Sequence, residues 1–126
     1  MSHGKFATAI NCMDGRTQEP VSKWIKTKFG VDYVDTITEP GPEKIIAMGI
    51  QPNLDSIKTR VRISVDKHGS RNVALVAHHD CAGNPVSKEQ HVEHVKQSAD
   101  VVRSWGLPVK VYTLWVDGNW CVQEIE

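Results

Sequence analysis

The chain has 126 residues, and 15 Lys and Arg balance 15 Asp and Glu, so its formal net charge is zero. That balance gives no sign of a basic face that tracks a phosphate backbone, and nucleic acid is not an expected partner. No stretch reaches the roughly 18 to 20 apolar residues of a membrane span, and the opening MSHGKF lacks the apolar core of a signal segment, so the expectation is a cytoplasmic protein with one domain over residues 1–126 and no membrane partner.

The elements alternate in chain order. KFATAI (5–10) reads as a short strand. A helix follows over 17–30: Thr17 can cap it, Pro20 is tolerated in its first turn, and Val21, Trp24, Ile25 and Phe29 share a face that Gly30 ends. A second strand covers 31–38. EPGPEKIIAMGIQPN (39–53) reads as mostly loop with one helical turn. From Asn53 or Leu54 to His68 a helix is expected, with Leu54, Ile57, Val61 and Val65 buried and Gly69 as its stop. NVALVA (72–77) is apolar throughout, as a strand covered on both faces should be.

The segment 87–106 is the clearest helix. Ser87 and Gln90 form a capping-box pattern, and Val92, Val95, Ala99 and Val102 line one side. On that assignment His91 and His94 fall on a solvated face. VKVYTLWV (109–116) is a fourth strand, and DGN turns the chain into WCVQEI (120–125), an antiparallel edge strand. The expected fold is therefore α/β: a mostly parallel central sheet of about four strands, flanked by helices, with an antiparallel C-terminal edge strand.

In such sheets ligands bind beyond the carboxyl ends of the strands, where the strand order reverses. Two strand ends here carry reactive side chains. The first runs into NCMDGR and the third into HHDC. If these strands are neighbours, Cys12 comes beside His78 and Cys81. Two thiolates and an imidazole make a good zinc set, and three protein ligands leave one tetrahedral position open, as catalytic zinc requires. The odd count of three cysteines argues against a disulfide framework. Cys121, on the edge strand, reads as a buried structural thiol. Asp14 lies two residues past Cys12 and competes for the open position, while Arg16 can hold its carboxylate by a bidentate pair. Asp80 reads as a turn residue capping local backbone, and Trp115 and Trp120 as core or interface.

CMDGR at the end of the first strand, followed by HHDC after a later one, resembles the β-class carbonic anhydrases. The resemblance implies that Cys12, His78 and Cys81 hold Zn2+ and that Asp14 and Arg16 form the catalytic dyad gating the fourth position. It implies reversible hydration of CO2 to bicarbonate through zinc-bound hydroxide, and a homodimer or higher homo-oligomer. Gly41 matches the family's glycine-containing loop, and with His79, Ala82 and Gly83 it is an expected lining of the substrate pocket. The ligand set sums to zero charge with Zn2+, so activity is expected to climb on the alkaline side. Three other readings stay open: a zinc hydrolase of another small CO2-like molecule, an inactive zinc-binding regulatory domain, and a thiol redox protein using Cys12 and Cys81.

Overall fold

A computed structural model describes residues 4–125. The first strand, β1 (Phe6–Cys12), alternates small and branched side chains that are buried on both faces from Ala7 onward. It can be so only as an interior strand. Its neighbours are β2 (Tyr33–Glu39) on one side and β3 (Asn72–His78) on the other, both parallel to it. Strand β4 (Lys110–Val116) runs parallel to β3, and β5 (Val122–Ile125) pairs antiparallel with β4 at the edge. The order is β2-β1-β3-β4-β5. The chain thus steps outward from β1 to β2 and crosses back to β3, so the order reverses between β1 and β3.

Helix α1 (Gln18–Phe29) covers one face of the sheet, where Val21 and Ile25 pack on Ala7, Ala9, Ala74, Val76 and Leu114. Helices α2 (Pro42–Met48), α3 (Asn53–His68) and α4 (Lys88–Arg103) cover the other, around Ile10, Ile46, Ile57, Leu75 and Val95. None of the helices is long and apolar enough to cross a membrane.

Three local expectations change. The segment 39–53 holds a seven-residue helix, α2, rather than a loop with one turn. Pro42 suits its first turn, Glu43 complements the positive end of the helix dipole there, and Ile45 and Ile46 bury its inner face. Thr17 makes no side-chain cap to α1; its hydroxyl donates to the Asp14 carbonyl at 2.8 Å instead. Ser87 does cap α4, accepting from the Gln90 N–H at 3.2 Å, but the Gln90 side chain reaches onward to His94 instead of back to the cap.

Candidate metal centre at the strand tips

The ladder between β1 and β3 stops early. Paired positions run from Thr8–Val73 to Ile10–Leu75, while β1 continues to Cys12 against β2 and β3 to His78 against β4. The two strands part at their carboxyl ends, at the reversal of strand order. Cys12, His78 and Cys81 meet in that gap, all buried, with one ligand atom from each within 4.8 Å of the others.

Their chemistry fits a tetrahedral cation. The two sulfurs lie 3.9 Å apart. Zinc bonds of about 2.3 Å at the tetrahedral angle would set two sulfurs about 3.8 Å apart. The His78 Nδ1 lies 2.6 Å from the His79 carbonyl, to which it donates its proton. That leaves Nε2 as the lone-pair nitrogen, and Nε2 is buried without a hydrogen-bond partner. A ring aimed this way is prepared for a metal, since a buried acceptor without a partner is otherwise costly.

The thiols are also prepared. A hydrogen bond from Cys81 holds Cys12 down to about 4, against its burial, helped by His78 and by the backbone N–H groups of Gly41 and Asp14. The same sulfur contact, with burial, pushes Cys81 up, while the Asn84 N–H favours its thiolate. The contact thus favours the thiolate on Cys12 and the thiol on Cys81, and a dication bound there displaces the thiol's proton. For His78, burial opposes the charged form, but the Cys12 sulfur and the His79 carbonyl raise its affinity for a proton on balance.

Asp14 stands at the mouth. Arg16 grips it through Nε at 3.1 Å to Oδ1 and Nη2 at 2.7 Å to Oδ2, and the Arg16 N–H adds 2.9 Å to Oδ1. Those bonds hold the carboxyl at about 2. The expected bidentate pair is therefore present, and it shares its guanidinium with other groups. Arg16 Nη1 lies 3.3 Å from the Asp80 carboxylate, Nη2 lies 3.3 Å from the Asp80 carbonyl, and the guanidinium carbon sits 4.4 Å over the Trp120 ring. Asp80 thus faces Arg16 and does not cap local backbone.

The remaining candidates fall around this centre. Gly41 is a left-handed residue (φ +62), and a Cβ on Gly83 would stand 2.4 Å from the Pro40 carbonyl carbon. Here the turn before α2 and the loop bearing Cys81 touch backbone to backbone. His79 and Ala82 are exposed. A cavity of about 660 Å³ lies at the opposite end of the sheet, between Lys5, Phe29, His68 and Asn72, away from this chemistry.

Two expectations are corrected. Cys121 is exposed, because it lies in the hairpin just ahead of β5, at the open edge of the sheet. His91 and His94 are 1% and 5% exposed, inside the fold. His91 Nδ1 and Asn84 Nδ2 both lie 3.0 Å from Glu43 Oε1, Asn84 Nδ2 is 3.1 Å from His94 Nδ1, and His94 Nε2 is 3.0 Å from the Gln90 amide. Glu43 is itself 1% exposed. This network ties α2 and α4 to Asn84, whose N–H serves Cys81. Sequence reading missed Glu43 and Asn84 altogether. One signal was available: residues 91, 94, 95, 98, 99 and 102 follow a helical stripe, and it is this stripe that is buried.

Over residues 2–126 the chain matches the family model described as "Putative carbonic anhydrase". No curated protein matches it significantly. Among solved structures it is similar to a carbonic anhydrase from Glaciozyma antarctica, at 14% identity and a TM-score of 0.63, over 95% of this chain and 81% of that one. It is similar to a mutant form of the β-carbonic anhydrase CafD of Aspergillus fumigatus, at 11% identity and a TM-score of 0.64, over 99% and 91% of the two chains. A tetrameric β-carbonic anhydrase from Sordaria macrospora matches at 14% identity and a TM-score of 0.55, over 99% and 82%. At these identities the likeness is one of fold.

Proposed function

The chain belongs to the putative carbonic anhydrase family, and from that premise we propose that it hydrates CO2 reversibly to bicarbonate with Zn2+ held by Cys12, His78 and Cys81. The observation that carries this reading is the convergence of those three ligand atoms within 4.8 Å at the point where strand order reverses. Zinc bound there supplies the Lewis acidity that makes water a nucleophile near neutral pH.

The chain's own residues supply the rest. Three side chains from two strand ends leave a fourth tetrahedral position for water or substrate. The Asp14 carboxylate is kept ionised by Arg16, so at neutral pH it can only accept a hydrogen bond. It therefore orients the attacking water by taking one of its protons in a hydrogen bond, which turns a lone pair toward the carbon of CO2. The N–H groups of Gly41, Asp14 and Asn84 spread the thiolate charge and fix the sulfurs in place. His79 fixes the His78 ring through its carbonyl. Self-association belongs to the same reading. Met13, next to Cys12, is 64% exposed and Met48 at the end of α2 is 60% exposed, which suits a homodimer or larger homo-oligomer.

Stopped-flow CO2 hydration by the zinc-loaded protein between pH 6.5 and 9, with Asp14→Asn as the control, tests the proposal. A rate well above buffer that rises with pH and collapses in the variant supports it. A rate no better than buffer with zinc fully bound refutes it.

A further inference from the structure

Among the described residues, two that are not glycine have left-handed backbone: Asp80 at φ 58 and Trp120 at φ 60. Asp accepts that conformation with modest strain. A bulky aromatic does not, and such a residue persists only where its surroundings hold it. Both residues touch the same group. Asp80 meets the Arg16 guanidinium through its carboxylate and its carbonyl, and the Trp120 ring lies beneath it.

The two come from separate parts of the fold. Asp80 sits in the turn between His78 and Cys81. Trp120 sits in the hairpin joining β4 to β5. Asp117 builds that hairpin: its Oδ1 accepts from the N–H groups of Asn119 and Cys121 at 2.9 and 3.0 Å, and its carbonyl accepts from the Trp120 N–H at 2.9 Å. The backbone of residue 120 is thus dictated from both sides. Glycine or asparagine would suit that backbone with less strain. What tryptophan adds is a ring face for Arg16 and packing against the α1 side of the core.

Arg16 needs such help. Its side chain is 46% exposed, and its contacts with Asp80 are at 3.3 Å and open to water, weak on their own. A cation over an indole adds an attraction that does not compete for the guanidinium's in-plane donors. Nε and Nη2 therefore stay on Asp14 while Nη1 goes to Asp80.

We propose that Asp80 and Trp120 are positioning residues. Together they clamp the Arg16 guanidinium and so keep the Asp14 carboxylate on Arg16. This rests on the role given to Asp14 above. The clamp itself is a property of the folded chain and is readable apart from any reaction.

The test uses full-length protein labelled with 15N-arginine. The Arg16 Nε–H resonance is assigned by its loss in Arg16→Lys. A guanidinium 4.4 Å over an indole should give an upfield-shifted signal protected from exchange with water. Trp120→Gly accepts the left-handed backbone and removes the ring. It should abolish the upfield shift and speed exchange about tenfold. Trp120→Phe keeps a ring at the same backbone strain and should restore part of both effects, which a mere packing role would not. Asp80→Asn tolerates the same φ without the charge and should speed exchange while leaving the ring-current shift in place.

An Arg16 signal without an upfield shift in the parent, or one unmoved in both Trp120→Gly and Asp80→Asn, overturns the proposal. Should Trp120→Gly fail to fold, Trp120→Phe and Asp80→Asn decide: no change in either overturns it as well. If the parent hydrates no CO2 yet its Arg16 signal responds as described, the clamp stands and the reading of function falls. If hydration is fast and the signal does not respond, the reverse holds.

Discussion

Replacing Gly83 by Ala tests how the Cys81 loop is held. Gly83 does not need a left-handed backbone; it needs the absence of a Cβ. An added Cβ would stand 2.4 Å from the Pro40 carbonyl carbon and 2.7 Å from both the Pro40 oxygen and the Gly41 nitrogen. Ordinary contact begins at 3.4 Å, so the two backbones must part by about 1 Å. Neither side is a flexible side chain, so the strain falls on the turn before α2 and on the loop two residues past Cys81. Overpacking of this kind costs about 1–3 kcal/mol. For a chain of this length that lowers Tm by roughly 4–12 °C. The same displacement exceeds the ~0.2 Å tolerance of a metal ligand set, and zinc affinity should fall about 10- to 100-fold.

The assays are a thermal melt followed by circular dichroism and a competitive titration with a chromogenic zinc chelator. Gly118→Ala is the control, because its Cβ would meet only the His79 ring, at 3.4 Å, and that side chain can move. If Gly83→Ala melts with the parent and keeps its zinc affinity, the backbone contact does not position Cys81 and the reasoning fails.

The buried network gives a second prediction. Glu43→Ala leaves the His91 and Asn84 donors without an acceptor and opens a hole, and should cost about 3 kcal/mol in urea unfolding, whereas Glu43→Gln keeps the volume and should cost about 1. Equal stability for all three proteins would show that the network contributes nothing. Thiol labelling of the zinc-loaded protein should modify Cys121 alone at first, because Cys12 and Cys81 are buried and Cys121 is exposed; equal early labelling of all three would contradict the site. The Asp117 carboxyl is held below its usual range, chiefly by the Cys121 N–H. Its contribution to the hairpin is therefore full above the usual carboxylate range near pH 4 and is lost as pH falls through the lowered value. Amide exchange at Cys121 should accelerate on that descent in the parent and be pH-insensitive there, beyond the intrinsic rate, in Asp117→Asn.

Much of this fold is legible in the sequence because local patterns and long-range packing agree. Val73 to Ala77 announce a doubly covered strand, and Gly30 and Gly69 end their helices in left-handed backbone. The placement of Cys12 beside Cys81 follows from topology, since neighbouring strands that part at the reversal of order open one gap into which both strand ends lead. What sequence could not give depends on distant partners. Glu43 looks like an exposed helix-start acid, and it is buried only because Asn84 and His91, 41 and 48 residues away, arrive to satisfy it. The histidines of α4 are misplaced by any reading that weighs valine over histidine in choosing the buried stripe, whereas a paired imidazole is as admissible there as an aliphatic side chain. Trp120 beneath Arg16 depends on how one hairpin folds over the strand tips, and no spacing in the sequence encodes that.

The central claim is a zinc centre made of two sulfurs and one nitrogen with a position left for chemistry. X-ray absorption at the zinc edge of the loaded protein addresses it most directly. The account predicts one zinc per chain with two sulfur neighbours at about 2.3 Å and one nitrogen and one oxygen at about 2.0 Å. A zinc surrounded by four sulfur or nitrogen ligands, or a protein that loads no zinc while folded, would contradict it.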